Sequence, residues 1–142
     1  MLYLTRREQF SAAHKLWRAE WTEKKNLEIF GKCANPNWHG HNYQLFVTVK
    51  GNPDLETGFV INMKDLSSII NDCVIDKVDH KNLNLDVDFM EGVMTTTENL
   101  ASRVWDQLEE KINETGCKLH KIKIVETENN FIEYYGAKGI SN

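Results

Sequence analysis

The order of periodic segments along this chain predicts an α+β domain built on an antiparallel sheet. Two segments with strand character come first, two with helical spacing follow, and two further strands close the sequence. Helices grouped between pairs of neighbouring strands favour hairpin pairing over parallel crossovers. With 142 residues and no repeat, low-complexity stretch or linker, residues 1–142 read as one domain.

Each element has its own signal. Residues 2–16 alternate loosely and read as the first strand. Residues 17–36 lack a clean period and read as a long loop with room for a helical turn, a kind of connection that is usually functional or disordered. Residues 41–50 alternate well: His41, Tyr43, Leu45, Val47 and Val49 share one face, and Asn42, Gln44, Phe46, Thr48 and Lys50 the other. Turn chemistry fills residues 51–58, and residues 59–63 form either a short strand or the approach to a helix. Asn62 is placed to cap a helix over 63–77, where Leu66, Ile69, Ile70, Cys73 and Val74 have helical spacing. Thr95 and Glu98 fit a capping box for a second helix. Its stripe is Leu100, Ala101, Val104, Trp105, Leu108 and Ile112, and Gly116 ends it. Residues 119–127 and 130–136 are the last strands, with Glu128, Asn129 and Asn130 at the turn.

Composition removes several classes of function. A formal net charge of −4 argues against the domain as a nucleic-acid-binding surface. No apolar run approaches the about 20 residues that cross a bilayer, and residues 1–7 lack the apolar core of a secretory signal. Three scattered cysteines, Cys33, Cys73 and Cys117, fit a reducing, cytoplasmic setting better than a disulfide framework. No P-loop glycine pattern is present.

The chemistry concentrates in residues 33–43. His39 and His41 are two apart at a strand start, so extended backbone points both imidazoles the same way. An antiparallel partner ending at His14 brings a third imidazole to the same place. Three neutral histidines with an open fourth position form the ligand set of a catalytic zinc site. An H-x-H pair alone is a weak signal, and His14 alone reads equally as a core histidine; it is their convergence that favours a metal. Cys33 has three readings: a fourth ligand closing a structural site, an inert buried thiol, or a reactive thiol whose ionisation nearby imidazoles and a cation favour. Asp79 and His80 form a carboxylate–imidazole pair suited to acid–base work, or else a solvated loop after the helix. Glu126 continues the apolar face of Ile122 and Ile124, so its carboxylate either finds donors there or emerges at the strand end. His120, between two lysines, reads as a surface residue.

Several of these segments together resemble the 6-pyruvoyl-tetrahydropterin synthase family nearly end to end. They are residues 10–14 (FSAAH), 30–43 (FGKCANPNWHGHNY), 78–84 (VDHKNLN), 96–99 (TTEN) and 125–130 (VETENN). The resemblance implies the tunnelling fold, a four-stranded antiparallel sheet with two helices on one face in the order β-β-α-α-β-β. Such subunits close into barrels as trimers, and two trimers stack as a homohexamer. His14, His39 and His41 match the family's Zn2+ ligands, one ion per subunit, and Cys33 its catalytic cysteine. Asp79 and His80 match an acid–base pair that reaches the site from a neighbouring subunit. Glu126 matches the carboxylate that anchors the pterin ring; Thr96, Thr97 and Glu98 match a stretch lining the same pocket. The implied reaction converts 7,8-dihydroneopterin triphosphate to 6-pyruvoyl-tetrahydropterin with release of triphosphate, Mg2+ accompanying the triphosphate as a further expectation. Trp38 departs from the pattern, standing where glycine is usual. The alternatives are the sister 6-carboxy-tetrahydropterin synthase of queuosine biosynthesis and a non-catalytic zinc- or pterin-binding protein. The sister enzyme has a shorter cysteine-to-histidine spacing than the five residues, 34–38, found here.

Overall fold

A computed structural model describes residues 1–137. Strand β1 (Leu2–His14) lies antiparallel to β2 (His39–Gly51), in a register that sets Leu2 against Gly51 and His14 against His39. On the other flank of β2 lie β4 (Lys118–Thr127) and then β5 (Asn130–Tyr134), both antiparallel to their neighbours. The sheet is not the expected four antiparallel strands. A fifth, β3 (Lys81–Asn82), runs parallel to β1 at Ala12 and Ala13, giving a mixed sheet in the order β3-β1-β2-β4-β5. Two residues are too few to display an alternating pattern, so β3 leaves no trace in the sequence. It is pinned by backbone bonds outside itself: His80 N–H donates to the Ser11 carbonyl (2.6 Å) and Leu83 N–H to that of Ala13 (2.8 Å).

Among the described residues there are three helices of eight residues or more where two were expected. Helix α1 (Glu23–Phe30) stands in the expected loop, capped by the Thr22 hydroxyl, which accepts from Lys25 N–H at 3.1 Å. It lacks an apolar period because it does not lean on the core: Leu27 and Ile29 are 43% and 60% exposed. Asn26 holds it instead. That side chain is fully buried, donates to the carbonyls of Arg18 and Thr22, and accepts from Arg18 N–H.

Helix α2 (Met63–Ile70) begins at the expected cap, Asn62, which accepts from Lys64 N–H at 2.9 Å. It continues through a π turn (Asn71–Ile75) and a closing α turn (Asp76–Val78), so residues 59–62 are its approach. Helix α3 (Thr97–Asn113) is capped by Thr96 rather than Thr95, the hydroxyl accepting from Asn99 N–H. Thr95 has other partners. Its hydroxyl donates to Asn84 (3.0 Å) and its carbonyl accepts from the His14 ring (2.7 Å). Helix α2 packs on β1 and α3 on β4 and β5. Between helices and sheet lie Leu45, Val47, Leu66, Ile70, Val74, Leu100, Val104, Leu108, Ile112, Ile122 and Ile124, all fully buried. Burying such side chains contributes about 1.5–3 kcal/mol each before entropy is counted.

Candidate metal centre and cleft

The β1–β2 register assembles the triad. His14 and His39 are directly opposed across the ladder, and His41 lies two residues on, so all three rings leave the sheet on one face. Ring centroids are 4.5 Å apart for His14–His39, 5.2 Å for His14–His41 and 5.0 Å for His39–His41. One nitrogen from each ring lies within 4.8 Å of the others. His14 Nδ1 sits 2.7 Å from the Thr95 carbonyl oxygen. A carbonyl only accepts, so Nδ1 carries the proton and Nε2 presents a lone pair. His14 Nε2, His39 Nδ1 and His41 Nε2 are buried with no protein partner among the described residues. Burial, reinforced by the neighbouring imidazoles, holds His14 and His39 below the usual histidine range, with Glu126 opposing. Convergent ring nitrogens, buried and without hydrogen-bond partners, fit a tetrahedral divalent cation such as zinc.

Beside the triad opens a cleft of about 360 Å³, lined by His14, Leu16, Cys33, Thr96, Thr97, Glu98, Glu126, Asn130, Phe131 and Ile132. Glu126, at the end of β4, is half-buried: one oxygen lies 3.7 Å from His41 Nε2, and the other accepts from the Thr97 hydroxyl. Thr97 is the first residue of α3, so the helix start delivers that donor. Cys33 sits in a 3-10 turn (Gly31–Ala34), and its carbonyl accepts from Leu16 N–H at 2.8 Å, fastening the turn to the end of β1. Burial and then the Glu126 charge push the Cys33 thiol up. The chain's own groups thus work against the expected thiolate, and only a nearby cation would reverse the balance.

Asp79 and His80 are not in this cleft. The Asp79 carboxylate accepts from Ser11 N–H (2.9 Å) and lies 3.0 Å from His80 Nδ1; the Ser11 bond first, then His80, holds it below the usual carboxylate range. The His80 side chain is 82% exposed and lines a second concavity with Ser11, Gly40, Asn42 and Lys81.

The family model for 6-pyruvoyl tetrahydropterin synthase matches residues 3–137. This chain belongs to that family. It is 44% identical over 133 residues to the human 6-pyruvoyl tetrahydrobiopterin synthase, covering 94% of this chain and 90% of that one. The Dictyostelium discoideum protein of the same name is 45% identical, covering 94% and 95%. The structure of Caenorhabditis elegans 6-pyruvoyl tetrahydropterin synthase is similar at a TM-score of 0.88 and 36% identity, over 96% of each chain. The Plasmodium vivax enzyme, at 16% identity and a TM-score of 0.66, shares the fold.

In this member of the 6-pyruvoyl tetrahydropterin synthase family, Trp38 adopts φ +67°, a left-handed conformation that glycine enters freely and other residues at a cost. The tryptophan therefore keeps a glycine-like backbone just before His39. Leu16, Asn130, Phe131 and Ile132 line the cleft without any chemical signature that sequence reading would select. His120, expected at the surface, is half-buried, with its ring centroid 4.6 Å from that of Tyr3 and 5.6 Å from that of Tyr135. No helix among the described residues is long and apolar enough to cross a membrane.

Proposed function

We propose that this chain is a zinc-dependent 6-pyruvoyl-tetrahydropterin synthase, folded as one domain over residues 1–142. It would convert 7,8-dihydroneopterin triphosphate to 6-pyruvoyl-tetrahydropterin and release triphosphate. The observation that carries this reading is that the His14–His39–His41 cluster meets, through His14, a cleft that also holds Cys33 and Glu126. The names of the curated relatives point to the same activity.

His14, His39 and His41 hold the ion; when bound, zinc supplies Lewis acidity that makes a carbon-bound proton beside a substrate hydroxyl removable. Cys33 takes that proton and returns it at another atom, so one part of the substrate is oxidised as another is reduced and no hydride carrier is required. Glu126, steadied by Thr97, accepts paired hydrogen bonds from the N–H edge of the pterin ring. Thr96 and Glu98 line the same wall. Among the described residues the triad is the only group arranged to hold a metal, so nothing on the chain supports the Mg2+ expected with the triphosphate.

His80, poised by Asp79, serves as partner acid in a neighbouring subunit's cleft, which requires an assembly. Barrel-forming trimers stacked as a homohexamer fit the unpaired outer edges of β3 and β5. Free Cys33, Cys73 and Cys117 fit a cytoplasmic location.

The test is a triphosphate-release and product assay on wild type and Cys33→Ala, with and without chelator. Wild type should release triphosphate and form the pyruvoyl product only with metal; Cys33→Ala should keep zinc and lose turnover. Loss of zinc from Cys33→Ala would mean a closed structural site, and a carboxy product would assign the sister activity.

A further inference from the structure

Among the described residues, four buried side-chain nitrogen or oxygen atoms have no hydrogen-bond partner. Three are the convergent nitrogens of the triad. The fourth is the hydroxyl of Tyr43, which lies two residues along β2 from His41 and leaves the sheet on the same face. Tyr43 is 1% exposed. Its ring is clamped against Phe10, its opposite number in the β1–β2 register, at a centroid distance of 4.8 Å and an interplanar angle of 13°. The rings of His41 and His14 stand edge-on at 5.5 Å and 6.3 Å. On the other flank, Gln44 pairs with Val125, so Tyr43 and Glu126 are the next residues along that ladder.

A phenylalanine at position 43 would make the same stack and leave no polar atom behind. A buried hydroxyl without a partner destabilises a fold, and such groups are few in folded proteins. The phenol O–H is a donor with no acceptor among the described residues.

We propose that Tyr43 is a positioning residue of the metal pocket. Its hydroxyl donates a hydrogen bond to the water oxygen that completes the cation's shell before substrate binds. This rests on the reading that the triad holds a divalent ion. Three histidines fix the cation but leave its remaining ligand unsteadied; a rigid O–H from the same strand orients it, as partners one shell out commonly do in metal sites.

The experiment compares wild type with the isosteric Tyr43→Phe, using Co2+ as an optically visible probe in place of zinc. The chelated variant should melt about 2–5 °C higher than the chelated wild type, because the unpaired hydroxyl is gone. Its Co2+ affinity should fall about tenfold, with visible absorption bands displaced from the wild-type positions. Unchanged bands with affinity within about twofold overturn the proposal. So does a lower melting temperature for the chelated variant, because the hydroxyl would then have a partner inside the fold. Failure of wild type to take up Co2+ at all overturns the triad reading itself, and the proposal with it.

Discussion

At the scale of single residues, the site is an arrangement of groups that have lost water without gaining partners. His14 shows the consequence for pH. Its folded-state pKa, like that of His39, lies below the ordinary histidine value of about 6.5, chiefly because of burial. Between that lowered value and 6.5 the unfolded chain binds more protons than the folded one, so stability rises with pH across the window. Chelated protein should therefore melt progressively lower as pH falls from 7 through 6.5 toward 5, as thermal melts at fixed ionic strength would read. Zinc-loaded protein should show a steeper loss, because the ion binds only the neutral rings. A melting temperature flat across this range would contradict buried, neutral histidines. Removing one ring has a different signature: on the proposed zinc site, His39→Ala should lower zinc affinity by at least about 100-fold while the fold persists, since the side chain would be a ligand and is not part of the buried apolar cluster.

At the scale of elements, the sequence was readable wherever periodicity reflects burial. Strand β2 and helix α3 were legible because Tyr43, Leu45 and Val47, and Leu100, Val104 and Leu108, point into one core. Helix α1 was not, because it is held by the hydrogen bonds of Asn26 rather than by an apolar face. Asn26→Ala should cost about 1–3 kcal/mol in denaturant titration, more than an exposed helical asparagine, because a fully buried amide loses its bonds to Arg18 and Thr22 and Arg18 N–H loses its acceptor. The shift of the α3 cap by one residue has a similar origin. A capping box is a local pattern, whereas Thr95 answers to His14 and Asn84, far away in sequence. Thr96→Ala should cost about 1 kcal/mol with little effect on metal binding. Thr95→Ala, by contrast, keeps the carbonyl that orients His14 but loses the hydroxyl's bonds. A larger loss of zinc affinity from Thr96→Ala than from Thr95→Ala would reverse this division of roles.

At the scale of the whole molecule, one chain does not assemble every group that its motifs name. The triad, Cys33, Thr97 and Glu126 were found together because β1, β2, β4 and the start of α3 bring them to one end of the sheet. Asp79 and His80 were equally visible as a motif, yet neither lines that cleft and His80 lines another concavity, and no local pattern reveals which chain's cleft they serve. If His80 acts in a neighbour's cleft, then Cys33→Ala and His80→Ala damage different halves of the same composite site. Each homomeric variant should be nearly inactive. When the two are unfolded together, refolded with zinc and allowed to assort at random, a site built from two subunits keeps both halves intact with a probability of about one quarter. The mixture should therefore recover about a quarter of wild-type triphosphate release, whereas mixing the folded variants without exchange should recover none. If His80 served its own chain's cleft, every site in the mixture would carry one lesion, and co-refolding would restore nothing above the two variants alone. The assay thus reads subunit sharing directly from turnover, and light scattering on the refolded mixture confirms that an assembly has formed to share it.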